Sequence, residues 1–210
     1  MKLATAVCSF AMIAGLGMPA RAADATMTDQ ERAQLVKFLK DAQKEFVSAV
    51  ESLSDEQWKW KPTPTRWSVG ECAEHIMLSE EALFSRAMLA LKNPADPEWE
   101  TKTKGKTEFL LQVMAQRQGK AQAPEEIEPQ GKMSRAEIMT KFAEVRARTL
   151  KFAEENKDAI KEHLAPHPFP IFNPLNTYQW VLYIPLHNMR HDKQIEEVKA
   201  TAGFPAKSAL

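Results

Sequence analysis

Cysteine is nearly missing from this chain of 210 residues, which carries two, Cys8 and Cys72. Cys8 falls in an N-terminal stretch that reads as a leader, and Cys72 alone cannot close an internal disulfide. Stability must then come from packing or from a metal ion. Net charge is missing as well. The 28 Lys and Arg balance 28 Asp and Glu, so there is no basic footprint for nucleic acid. Glycine is sparse, with seven residues, and no Gly-rich phosphate loop occurs. No internal repeat and no succession of strands with turn signals appears, which argues against a sheet-based fold. Past the leader, no segment is long and apolar enough to span a bilayer, so a soluble mature protein without membrane contact is expected.

What remains is enough for one ordinary domain with a real core. The first stretch stands apart from it. Met1-Lys2 gives one positive charge, Leu3 to Ala20 is apolar, and Ala20-Arg21-Ala22 fits the small-x-small rule for signal peptidase. The competing reading is a membrane anchor, but the Gly and Ala content and the Ala-x-Ala ending favour cleavage. Residues 1–22 are therefore expected to be a signal peptide, residues 23–210 the folded domain, and the protein exported, either periplasmic or secreted.

Helical periodicity dominates the rest. Thr28-Asp29-Gln30-Glu31 is a capping box, and Leu35, Phe38, Leu39, Phe46, Val50 and Leu53 follow at three-four spacing. A helix is expected over about 28–53. Ser68-Val69-Gly70-Glu71 repeats the signal for a helix to about Lys92, where Asn93-Pro94 stops it. Ser134-Arg135-Ala136-Glu137 opens another through about Asn156, and a shorter helix covers Thr107 to Gln118. The last helix begins near Asn176 and runs to about Gly203, with Pro185 inside it as a source of a kink. The alternative is a strand over Tyr178 to Ile184 with the helix starting at Pro185. Pro62 and Pro64 make the 61–65 linker extended, residues 119–132 form a polar loop, and four prolines between 163 and 175 make an irregular connection. The expected class is all-α, a four-helix bundle with an extra short helix and irregular loops.

The residues that carry chemistry are histidines. His187 and His191 stand four apart on the last helix, which puts both imidazoles on one face about a turn apart. By itself such a pair is more often solvated or satisfied in the core than a ligand pair. His75 sits on the second long helix among the apolar residues Ile76, Leu78, Leu83 and Phe84. Helices of a bundle bring inward residues together, which is how metal sites arise in this architecture. If all three face one interior, they form a three-nitrogen site with an open fourth position, suited to zinc, nickel or iron.

Trp67-Ser68-Val69-Gly70-Glu71-Cys72-Ala73-Glu74-His75 resembles the Trp-Ser-x-x-Glu-x-x-x-His element of the DinB-like superfamily. Leu53-Ser54-Asp55-Glu56-Gln57 and Lys61-Pro62-Thr63-Pro64 resemble the segment leading into it. His187-Asn188-Met189-Arg190-His191-Asp192-Lys193-Gln194-Ile195 resembles that family's closing His-x-x-x-His-x-x-Gln-Ile element. The resemblance implies a four-helix bundle of up-down-down-up topology, often a homodimer, and one divalent metal ion held by His75, His187 and His191. It also brings thiol-dependent transferases and isomerases into view. The export leader departs from those relatives, because the thiols they use are chiefly cytoplasmic.

Other candidates have a plain reading beside the functional one. Glu71, one turn before His75, could orient that ring or act as a base, and it is also the carboxylate of the capping box. Cys72 is either a fourth ligand or a small buried residue, and Asp192, turned about 100° from His191, reads as a surface residue. His163 and His167 are separated by Pro166 and read as loop residues, with lining of a pocket mouth as the alternative. Trp58, Trp60 and Trp67 either line a pocket or pack the linker over the bundle end. Trp180 and Tyr183 belong to the core or to a dimer contact. Two functions stay open: a metal-dependent hydrolase or transferase acting on a small-molecule substrate, and a non-catalytic metal- or ligand-binding module.

Overall fold

Two serines, a threonine and an asparagine start the four long helices of the computed structural model, which describes residues 25–117 and 122–206. Each start is a complete capping box. The side chain of Thr28, Ser68, Ser134 or Asn176 accepts from the backbone N–H three residues on, and Glu31, Glu71, Glu137 or Gln179 returns the bond. These boxes satisfy N–H groups that a helix start otherwise leaves without partners. The helices are α1 (Asp29–Val50), α3 (Val69–Ala90), α6 (Arg135–Glu155) and α7 (Thr177–Lys199). Short helices α2 (Asp55–Lys59), α4 (Trp99–Thr103) and α5 (Lys106–Val113) lie in the connections. The expected leader, 1–22, lies outside the described residues.

Several sequence expectations change. The first helix stops at Val50 rather than 53, because Ser54 and Gln57 form a capping box of their own and start α2. Helix α4 was not foreseen. The short helix expected to reach Gln118 ends at Val113, and Gln118 itself lies outside the described residues. The strand alternative for Tyr178 to Ile184 fails: α7 is helical from Thr177 through Pro185 to Lys199, short of Gly203. The proline-rich connection holds the two-residue strands β1 (Leu164–Ala165) and β2 (Leu175–Asn176). They pair antiparallel and pinch the loop at the entrance to α7.

Contacts between helix ends fix the topology. Arg32 at the start of α1 donates to the Ala153 and Asn156 carbonyls at the end of α6, and Arg135 at the start of α6 donates to Leu53 just past α1. Those two helices are antiparallel. Glu74 accepts from Gln130 and Gly131 just ahead of α6, and Phe84 meets Phe152, so α3 runs parallel to α6. Trp67, just before α3, lies beside His191, whereas Asn93 beyond its end bonds Leu164 next to the start of α7, so these two are antiparallel. The order is up-down-down-up. Helix α7 packs between α1 and α3, and α6 also packs against both, so α1 and α3, consecutive long helices, sit on a diagonal.

The core is divided along its length. One apolar cluster holds Phe46, Val50, Val69, Ile76, Ile138 and Phe142, the other Leu35, Leu39, Ala87, Leu110, Val181 and Leu182. Between them lies Arg146, fully buried, a polar residue with no forewarning in the periodicity. It is bidentate to Glu80, at 2.7 and 2.8 Å, and donates to the Leu39 carbonyl and to Asn188 Oδ1. Asn188 in turn donates to Asp192 at 3.0 Å. One guanidinium thereby ties all four long helices at mid-height. Truncating one partner of such a pair costs about 3–5 kcal/mol, because the other charge is left buried without a counterion.

At the bundle end, Trp58 lies against Gly70 so closely that a Cβ there would come 2.4 Å from the indole Nε1. Arg135 lies over the Trp58 ring, with its guanidinium carbon 4.6 Å from the ring centroid. Trp60 meets Phe204 edge-on. The plain reading of these two tryptophans, linker packing, is the observed one.

Candidate metal centre

His75 lies on the second turn of α3, where the capping box at Ser68 sets the register and turns positions 72, 73, 75 and 76 inward. His187 and His191 lie on α7, one turn apart, after Pro185. Antiparallel packing of α3 against α7 brings the three rings together. Their centroids are 5.1 Å (His75–His187), 4.4 Å (His75–His191) and 4.5 Å (His187–His191) apart. One ligand nitrogen from each lies within 4.8 Å of the other two.

The chemistry of the donor set fits a divalent ion. His75 Nδ1 donates to the Ile127 carbonyl at 2.7 Å, and His191 Nδ1 donates to Gln194 Oε1 at 2.9 Å. A carbonyl oxygen can only accept, so each Nδ1 carries the proton and each Nε2 keeps its lone pair, the tautomer that binds a metal. Burial pulls His75 down to about 4 and holds His187 and His191 well below the usual 6.5. Three neutral imidazoles at ligand spacing suit zinc, nickel or iron(II).

The three rings form part of the wall of a cavity of about 1130 Å³. Trp67 flanks the cluster, its ring 4.8 Å from His75 and 6.2 Å from His191. Tyr183, one turn before His187, stacks on it at 6.0 Å, and burial pushes its phenol up to about 12. Leu83, Phe109, Val113, Met114 and Phe172 supply apolar wall, and among the described residues Arg66, Arg86, Arg117 and Arg190 line it against a single acid, Glu126.

The other sequence candidates separate clearly. Both carboxylate oxygens of Glu71 are engaged, one with the Ser68 backbone N–H and one with Lys61, each at 2.7 Å. The partner that orients His75 is Ile127, at the end of a single 3-10 turn (Glu125–Ile127) that helical periodicity could not indicate. Cys72 is sealed in an apolar cluster with its thiol pushed far up by desolvation, and it is not part of the histidine group. Asp192 corrects the sequence expectation: it is buried rather than at the surface, because the turn that takes it off the cavity points it at Asn188 and the Arg146 layer. Burial, with Glu45 adding to it, pushes its carboxyl up to about 8. His163 is a loop residue bonded to the Asn93 carbonyl, whereas His167 is buried and lines the cavity.

The sequence model of the DinB superfamily matches residues 38–195. The uncharacterized protein YuaE of Bacillus subtilis (strain 168) is 27% identical over 160 residues, which cover 76% of this chain and 93% of that protein. Among solved structures the chain is similar to YfiT from Bacillus subtilis, described as "a probable metal-dependent hydrolase with an unusual four-helix bundle topology". The TM-score is 0.57 and the identity 14%, over 85% of this chain and 91% of that one. At that identity the likeness speaks for the fold.

Proposed function

The chain belongs to the DinB superfamily, and from that premise we propose that it is a divalent-metal-dependent enzyme, a hydrolase or transferase of a small molecule, with His75, His187 and His191 as the ligands. One observation carries this reading: three ligand nitrogens converge in the wall of a large cavity. A structural zinc site is closed by four protein ligands, whereas a catalytic one has three and keeps a position open to substrate. YfiT, which shares the fold, is described as a probable metal-dependent hydrolase.

Held by the three histidines, the ion would supply Lewis acidity, polarising a carbonyl or lowering the pKa of water or a thiol. The chain's own residues prepare the place. Ile127 and Gln194 lock the tautomers of His75 and His191. Trp67 shields one side of the cluster from water, and the cavity's apolar wall lowers the local dielectric, which strengthens electrostatic contacts with substrate. Glu71 has no part in this scheme, since the capping box and Lys61 occupy it. The same proposal has residues 1–22 removed on export, which N-terminal sequencing of protein recovered outside the cytoplasm checks.

Elemental analysis of purified protein tests the centre. About one divalent ion per chain is expected, with most of it lost in His187→Ala. Unchanged metal content in that variant removes His187 from the site. Thermal unfolding with and without chelator then measures how much the ion stabilises the fold.

A further inference from the structure

The same cavity contains two hydrogen-bond donors that the metal centre does not use. His167 comes from the proline-rich connection into α7. It is 7% exposed, stacks on Trp180 with centroids 4.9 Å apart, and lies 5.5 Å from the Tyr183 ring. The Phe169 backbone N–H donates to its Nδ1 at 3.0 Å, so Nδ1 is the acceptor and the neutral ring carries its proton on Nε2. Tyr183, also 7% exposed, adds a phenolic O–H. Among the described residues neither the His167 Nε2–H nor the Tyr183 O–H has a protein partner. Neither is sealed off, because the buried polar side-chain atoms without partners belong to Arg32, Arg135, Tyr178 and Trp180. Donors that line an apolar cavity without an acceptor mark a place where a ligand oxygen completes the hydrogen bonding.

The charges nearby indicate which oxygen. Arg86 and Lys106 are close enough to act electrostatically on His167; Arg86 is paired at 2.7 Å with Glu126, the one acid among the described residues that line the cavity, so the charge left over there is that of Lys106. A positive field behind two neutral donors favours an anion. We propose that His167 and Tyr183 form a carboxylate subsite, and that the substrate is an amphipathic organic acid held there by its head group. Its apolar body lies against Leu83, Phe109, Met114 and Phe172. Tyr183 stacks on His187 at 6.0 Å, so the bond that reacts lies within a few atoms of the carboxylate. The assignment of the reacting end rests on the metal reading above, whereas the subsite itself does not.

Calorimetric titration of zinc-loaded protein with octanoate, and with octylammonium as the cationic counterpart, tests the subsite. Octanoate is expected to bind and octylammonium not to. Tyr183→Phe and His167→Phe should each weaken octanoate about tenfold with zinc content unchanged. Equal affinity in either variant, equal binding of the two amphiphiles, or no binding of octanoate overturns the proposal. In His187→Ala, loss of zinc with octanoate binding retained supports it. Loss of both together places the carboxylate on the metal and overturns it. Protein that takes up no zinc yet binds octanoate through His167 and Tyr183 sinks the metal reading and leaves the subsite standing.

Discussion

Two faces of α7 carry polar residues inward, and they are built on opposite terms. Asn188 and Asp192 turn toward Arg146, whose guanidinium meets Glu80, the Leu39 carbonyl and Asn188, so each of its three nitrogens ends on an acceptor. His187 and His191, each one residue earlier and about 100° around the helix, face the cavity with His75 and present lone pairs. The first arrangement is closed and divides two apolar clusters. The second is open, with its tautomers set from outside by Ile127 and Gln194. A buried polar residue therefore says little about role by itself; role follows from whether its partners are exhausted.

The largest test of this contrast is Arg146→Met. It leaves Glu80 buried without a counterion, and urea unfolding should show a loss of about 3–5 kcal/mol. Replacing Glu80 by Leu in the same chain should recover much of that, since the penalty lies in the orphaned charge. The adjacent pair His187→Ala and Asn188→Ala should then split. The first should lower metal affinity at least about a hundredfold, since loss of a mere outer-shell partner already costs 10–100-fold, with little change in metal-free stability. The second should cost about 1–3 kcal/mol through the unsatisfied Arg146 and leave metal stoichiometry intact. Matching phenotypes would erase the distinction between the two faces.

Acid should act on the open side through His167, which burial pulls down to about 4 from 6.5, with Arg86 and Lys106 pulling the same way. The folded pKa is the lower one, so the unfolded chain takes up the proton first. Stability is unaffected above pH 6.5, falls as pH drops through 6.5, and levels off below 4. The expected loss is about 3 kcal/mol, and His167→Phe should remove that part of the slope in denaturation curves taken across this range. The smallest effect belongs to Glu71→Ala. Loss of the returning half of the capping box and of the Lys61 pair should cost about 1 kcal/mol while metal content stays at the parent level. A fall in metal content would instead give Glu71 a place in the centre.

Helix starts were legible because a capping box is local: Thr28, Ser68, Ser134 and Asn176 satisfy N–H groups within three residues. The histidine pair on α7 was legible for the same reason, as one turn of helix separates the two residues. His75 was legible as a candidate on an apolar helix, and resemblance to a family added its place beside the other two and the up-down-down-up order. Arg146 was missed and Asp192 misplaced, and for His167 the pocket-lining alternative is the one that holds, because a charge on a helix, or a histidine between prolines, looks solvated until its neighbours are known.

By itself, then, the chain determined where helices begin, which faces are apolar, and that two imidazoles share one side of α7, all consequences of short-range hydrogen bonding and a 3.6-residue period. Only the tertiary structure decided that His75 meets them, that Glu80 and Arg146 close on each other, and that a loop histidine enters the cavity beside Tyr183. Those outcomes depend on which helices are neighbours and in which direction they run. That choice is made by packing over distances of fifty residues and more, where no local pattern reaches.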